Sequence, residues 1–168
     1  LTFCSLSDLK KYKVQLSDFS KQGLTPNWIF RKDINFPYMV SKGEEPSGVL
    51  SCYRYAKINS QKTCLAVHIT SEELSNYLNT FSEGNPSLSY IINSEGVVLS
   101  STDKKQIGGS LSNEKLHAIT QNLRLSHFSY DKCAIISTPV HNQLFLVTET
   151  PDYYIRQSSS FLVKMIFI

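Results

Sequence analysis

Hydrophobic and polar positions alternate most clearly over Val49–Ile58 and Thr63–Ile69, two β-rich runs on either side of Asn59-Ser-Gln-Lys62. This pattern predicts an antiparallel pair of strands. If Ile58 lies opposite Thr63, Leu50, Cys52, Arg54, Ala56 and Ile58 share a face with Leu65, Val67 and Ile69. The other face then carries Ser51, Tyr53, Tyr55 and Lys57 with Cys64, Ala66 and His68, because side chains repeat with a period of two. The first face reads as the apolar core side. Arg54 is its oddity: either it pairs with an acid or the register differs. The second face, aromatic and polar, suits a ligand.

The period then changes. Leu74, Tyr77, Leu78 and Phe81 recur at helical spacing behind Thr70-Ser-Glu-Glu73, a hydroxyl cap followed by acids that complement the helix dipole. Gly84-Asn-Pro86 ends this helix. A hairpin over Leu88–Ser101 follows, turning at Asn93-Ser-Glu-Gly96 with Gly where a positive φ is needed. Asp103–Gly109 is a turn-rich loop, and Ser112–Asn122 is a second helix with Leu116 and Ile119 as its apolar contacts. Leu123–Tyr130, Cys133–Thr138 and Gln143–Thr150 are the last strands, with a turn over Pro139-Val-His-Asn142. Thr150-Pro-Asp152 predicts another helix start, with a hydroxyl cap, Pro at the first helical position and an acid behind it. Each half of the chain thus ends in a strand pair followed by a capped helix, a repeat of architecture rather than of sequence.

The flanks are less regular. Residues 5–22 are polar with scattered Leu6, Leu9, Val14, Leu16 and Phe19, and Ser7-Asp-Leu9 can cap a short helix. Trp28 falls in the loop-rich passage after Gly23-Leu-Thr-Pro26. Phe161–Ile168 is apolar except for Lys164. It reads either as a buried helical turn or as the first turns of a membrane span with Lys164 snorkelling, since a full span takes roughly 20 residues. No basic n-region or cleavage pattern opens the sequence, so the chain reads as a fragment beginning inside a structure.

Composition is that of a globular chain: 168 residues, 41% hydrophobic and only 18% charged, with a net charge of +3. The bases are dispersed and no basic stripe interleaves with aromatics, which argues against nucleic acid as a partner. Cys4, Cys52, Cys64 and Cys133 and the four histidines, His68, His117, His127 and His141, show no metal-ligand spacing. In the register above Cys52 and Cys64 face opposite sides of the sheet, so no disulfide is expected. No nucleophile–base arrangement and no phosphate-binding glycine loop stands out. The expectation is a non-catalytic chain with no metal and no cofactor.

Val67-His-Ile-Thr-Ser-Glu-Glu-Leu-Ser-Asn-Tyr-Leu78 resembles the strand-to-helix passage between the two modules of a double Cache domain. Tyr90-Ile-Ile-Asn-Ser-Glu-Gly-Val-Val-Leu-Ser-Ser-Thr-Asp103 with Ile107-Gly108 resembles the start of the second module. This is the PAS-like extracytoplasmic sensor family, and the chain resembles the sensors of Gram-positive transmembrane histidine kinases. Chemotaxis receptors and cyclic-di-GMP enzymes carry similar sensors. The resemblance covers roughly residues 25–168.

It implies an α+β fold of antiparallel sheets flanked by helices. Residues 1–70 form a membrane-distal module, 71–84 a connecting helix, 85–150 a membrane-proximal module, and 151–168 an output helix leading toward a membrane span. The family's first long helix and early distal strands are absent or very short, so the distal module reads as truncated. The kinase's phosphorylated His and nucleotide-binding Asn and Gly boxes are absent too, so kinase activity would belong to a parent chain, itself expected to be a homodimer flanked by membrane helices. A small molecule or an extracellular binding protein is the implied signal. An intracellular PAS-like interaction module, with 151–168 as a dimerising helix, is the rival reading.

Two sets of site residues follow. Trp28 either anchors its loop or walls a pocket. Arg31 is a candidate carboxylate clamp. Tyr53, Tyr55 and His68 offer stacking and hydrogen bonding on one strand face. In the proximal module Tyr90, Ser100 and Tyr130 are candidates to line a second cavity.

Overall fold

A computed structural model of the protein describes residues 28–32, 48–58, 61–82, 84–121, 126–141 and 143–157, with only the backbone at 54–58, 61–65, 126 and 141. The candidate helix near Ser7, the Arg54 and Tyr55 side chains and the apolar Phe161–Ile168 lie outside the described part. The chain divides into two compact units, Leu1–Glu73 and Leu74–Ile168.

In the first unit the described strands β1 (Trp28–Arg31), β2 (Val49–Ile58) and β3 (Gln61–Thr70) form an antiparallel sheet in that order. Trp28 is therefore in a strand, opposite Cys52, rather than in a loop. Four residues are too few for alternation to announce a strand. Ile58 pairs with Gln61 instead of Thr63. That register differs from the expected one by two residues, so every side chain keeps its expected face.

The burial of those faces is another matter. Val49, Ser51 and Tyr53, on the face expected to be open to a ligand, are fully buried. Leu50 and Cys52 on the opposite face are buried too, while Val67 beside them is 45% exposed. This end of β2 is interior on both sides.

Helix α1 (Ser71–Ser82) starts where the sequence places it, and the boundary between the units falls within it. Thr70 and Glu73 form a reciprocal capping box: Thr70 Oγ1 accepts from Glu73 N at 3.1 Å, and Glu73 Oε2 accepts from Thr70 N at 2.9 Å. Ser71 N donates to Gly48 O at 2.9 Å, which ties the helix start to the start of β2.

The second unit is a five-stranded antiparallel sheet in the order β5-β4-β8-β7-β6. Its strands are β4 (Leu88–Asn93), β5 (Val98–Ser101), β6 (Ser126–Tyr130), β7 (Cys133–His141) and β8 (Leu144–Pro151). The β4–β5 turn is fixed by Asn93, whose Oδ1 accepts from Glu95 N and Val97 N, and by Gly96 at φ +81°. The Ile107-Gly108 motif folds back onto β5: Gly108 N donates to Val98 O at 2.7 Å, and Val98 N to Gly109 O at 2.9 Å. A 3₁₀ turn, Lys104–Gln106, capped by Asp103, makes that return possible.

Tyr90, Ile92, Val98, Ile135, Phe145 and Val147 form the core of this unit. Helix α2 (Asn113–Thr120), capped by Ser112, adds the fully buried Ile119 to it.

The persistence of the β7–β8 ladder overturns one turn prediction and delays one helix start by a residue. Strand β7 runs through Pro139 to His141, where a turn over Pro139–Asn142 was expected. Pro139 lies past the last β6 pairing, Ser126 with Ser137, and next to an irregularity in the ladder. A residue without an N–H is tolerated there. At the other end Pro151 still pairs with Cys133, so helical conformation begins at 152 instead of Pro151. Thr150 is bonded to Ser87 Oγ at 2.7 Å.

Candidate functional site

The first cluster lies on the three-stranded sheet. Its register puts Ile29, Arg31, Val49, Ser51, Tyr53, Ala66 and His68 on one face and Trp28, Phe30, Leu50, Cys52 and Val67 on the other. Of the sequence-derived set, Arg31, Tyr53 and His68 share a face, and Trp28 stands on the opposite one. Residue 55 belongs by register to the Tyr53 face, its side chain lying outside the described part.

His68 Nδ1 is 2.8 Å from Ser51 Oγ, and the imidazole stands edge-on to the Tyr53 ring at 5.6 Å and 74°. Burial pulls the His68 pKa down to about 4, so the ring is neutral at physiological pH. A neutral imidazole offers one donor and one acceptor nitrogen. The face thus combines neutral hydrogen-bonding groups, an aromatic ring and, at its edge, the Arg31 guanidinium. This set can bind a polar small molecule.

The second cluster lies in the five-stranded unit. Phe145, Val147 and Glu149 follow one another on the core-facing side of β8, which places a carboxylate in an otherwise apolar series. Tyr90 Oη donates to Glu149 Oε1. Lys115 Nζ, from α2, donates to the same oxygen at 2.5 Å and stands 5.7 Å from the Tyr90 ring centre and 5.8 Å from that of Tyr130. Burial, and then the Glu149 carboxylate, push the Tyr90 phenol far up, so it stays protonated and donates. The same two causes, in the same order, raise the Cys133 thiol.

The structure therefore brings Tyr90 and Tyr130 together, around a lysine. Ser100 is elsewhere: it pairs with Ile91, on the face opposite Tyr90, and its Oγ lies 3.0 Å from Ser75 Oγ of α1. Lys115 and Glu149 were missed in the sequence. Lys115 reads as one of several solvated charges on a short helix, and only the period-two position of Glu149 behind Phe145 and Val147 marks it as inward.

Among the described residues, no helix is long and apolar enough to cross a membrane. No known family profile and no curated protein matches the chain. Its fold matches solved sensor structures. An extracellular ligand-binding receptor from Desulfohalobium retbaense aligns over 76% of this chain and 22% of its own, at 8% identity and a TM-score of 0.54. The periplasmic sensory domain of the Campylobacter jejuni chemoreceptor Tlp1 aligns over 76% of this chain and 50% of its own, at 15% identity and a TM-score of 0.53. The extracellular domain of the putative histidine kinase rpHK1S-Z16 aligns over 90% of this chain and 63% of its own, at 15% identity and a TM-score of 0.51. This chain spans less than two thirds of each. Antiparallel sheets with few helices among the described residues, and these likenesses, together give the chain the α+β fold of PAS/Cache-like extracellular and periplasmic sensor domains.

Proposed function

We propose that the chain is the extracytoplasmic sensing part of a membrane receptor, without catalysis of its own, that reports a small polar ligand or a binding protein to a histidine kinase. The observation that carries this reading is the fold shared with sensor domains, with the likeness to a histidine kinase's extracellular domain extending over 90% of the chain. Residues 1–70 act as the distal module, 71–84 as the connecting helix, 85–150 as the proximal module, and 151–168 lead toward the membrane. The receptor works as a homodimer.

Ligand is held on the face carrying Arg31, Tyr53 and His68, which it reaches only in an arrangement that uncovers the buried Ser51 and Tyr53. A ligand that binds one arrangement of this face better than another shifts the population of the whole receptor by that difference in affinity. The shift leaves through the helix that begins directly behind β8, at 152.

Thermal-shift measurements against amino acids, sugars, organic acids and short peptides test the reading. A ligand for the folded state raises Tm with concentration, and the rise should be lost in His68→Ala. A chain that responds to none of these classes, and to no candidate binding protein, would not be a sensor. The Tlp1 likeness favours a chemoreceptor as the second reading. The coding sequence downstream of Ile168 separates the two, as a kinase core or a chemoreceptor signalling region.

A further inference from the structure

Glu149, Tyr90 and Tyr130 are arranged as an ammonium site. A primary ammonium is recognised by a carboxylate that accepts a charge-assisted hydrogen bond and by aromatic faces within about 6 Å. All three elements are present here, and Lys115 Nζ meets each: 2.5 Å to Glu149 Oε1, 5.7 Å to the Tyr90 ring centre and 5.8 Å to that of Tyr130. The surroundings hold the recognition groups in place. Tyr90 is buried and donates to the same carboxylate oxygen. Tyr130 Oη lies 3.4 Å from Ser112 Oγ, the cap of the helix that carries Lys115. The Lys115 and Glu149 side chains are only 16% and 13% exposed, so the ion pair is largely shielded from water.

We infer that the core-facing side of the second unit is a binding site for a primary ammonium group, and that Lys115 of the chain itself is its resident occupant. The second unit is thus self-liganded. The three groups that would take the amine of a ligand instead hold α2 against β8. A ligand amine gains access when Lys115 leaves, which releases α2 from the strand that runs into the helix at 152. This inference does not rest on the sensor reading, since it concerns only groups within the second unit.

The experiment removes the occupant and supplies its missing part. In the full chain, Lys115→Ala leaves room for the three carbons and nitrogen of propylammonium. Tm of this variant should rise with propylammonium chloride and saturate, whereas 1-propanol at the same concentration has no such effect. Lys115→Ala combined with Glu149→Gln should bind propylammonium about tenfold more weakly or worse. The unaltered chain should not respond. A flat response in Lys115→Ala, or an equal response in the double variant, would overturn the inference.

A second measurement does not depend on the Lys115→Ala variants. In the proton–carbon spectrum of the unaltered chain one lysine Cε signal should be displaced upfield by the two rings, identified by its disappearance in Lys115→Arg. All lysine signals at the ordinary position would mean that there is no cage.

Discussion

Ser51 Oγ and His68 Nδ1 lie 2.8 Å apart, directly opposite each other in the β2–β3 ladder, with the Tyr53 ring edge-on to the imidazole at 5.6 Å. Burial holds the His68 pKa near 4, below its ordinary 6.5. Between these values the unfolded chain binds a proton that the folded chain does not. Stability from this group is therefore complete above pH 6.5 and is lost progressively as pH falls toward 4. Tm should drop more steeply from pH 7 to pH 5 in the unaltered chain than in His68→Gln, which keeps a hydrogen-bonding group but cannot be charged. Parallel curves would show that His68 is not buried as a neutral ring.

The Thr70–Glu73 capping box supplies the next expectation. Thr70→Val removes the hydroxyl that accepts from Glu73 N and should cost about 1 kcal/mol, while Thr70→Ser should cost only a few tenths. Urea unfolding of the three proteins checks the order; equal midpoints would mean that the box is not formed in solution.

Much of this was legible in the sequence, for identifiable reasons. The helix start at Thr70 and the turn at Asn93–Gly96 are local: cap, acid and glycine sit within four residues of one another. The face assignment of β2 and β3 survived a register error because that error was an even number of residues. What escaped depends on distance along the chain. Lys115 and Glu149 are 34 positions apart, and only the packing of α2 onto the sheet brings them together. The burial of Tyr53 escaped as well, because a β2–β3 pattern shows which side chains share a face but not what covers it. Pro139 misled because proline's usual meaning as a turn former yields beside an irregularity in a ladder, where a missing N–H is tolerated.

Ile135 and Ile136 are adjacent on β7 and should behave as opposites. Ile135 is fully buried in the core with Val147 and Phe145, whereas Ile136 is 44% exposed. Ile135→Ala should destabilise by about 2–5 kcal/mol, and Ile136→Ala by about 0.5 kcal/mol or less. Chemical denaturation measures both. Comparable losses would mean that β7 is flipped by one residue.

Gly96 is held at φ +81°, and a Cβ there would stand 3.1 Å from Leu116 Cδ2. Gly96→Ala therefore meets both backbone strain and a close contact with α2. A loss of about 1–2 kcal/mol is expected. If Leu116→Ala relieves part of that loss in the double variant, the contact is responsible; strict additivity would leave the dihedral as the whole cause.

Asp131 and Lys132 join β6 to β7 with φ of +47° and +60°, a two-residue hairpin turn in the left-handed region without a glycine. Twisted two-residue hairpins favour Asn-Gly at these positions, because Asn tolerates and Gly is indifferent to positive φ. Replacing the pair by Asp131→Asn and Lys132→Gly should stabilise the second unit by about 1 kcal/mol. The consequence reaches the end of the sheet, since Lys132 O accepts from Asp152 N at 2.9 Å, the first residue of the terminal helical stretch. A turn that pays less strain should hold that carbonyl in place more of the time. Amide exchange at Asp152 should then slow together with that of Cys133, whereas a stabilised turn with unchanged exchange at Asp152 would show that the helix start is not governed by the hairpin.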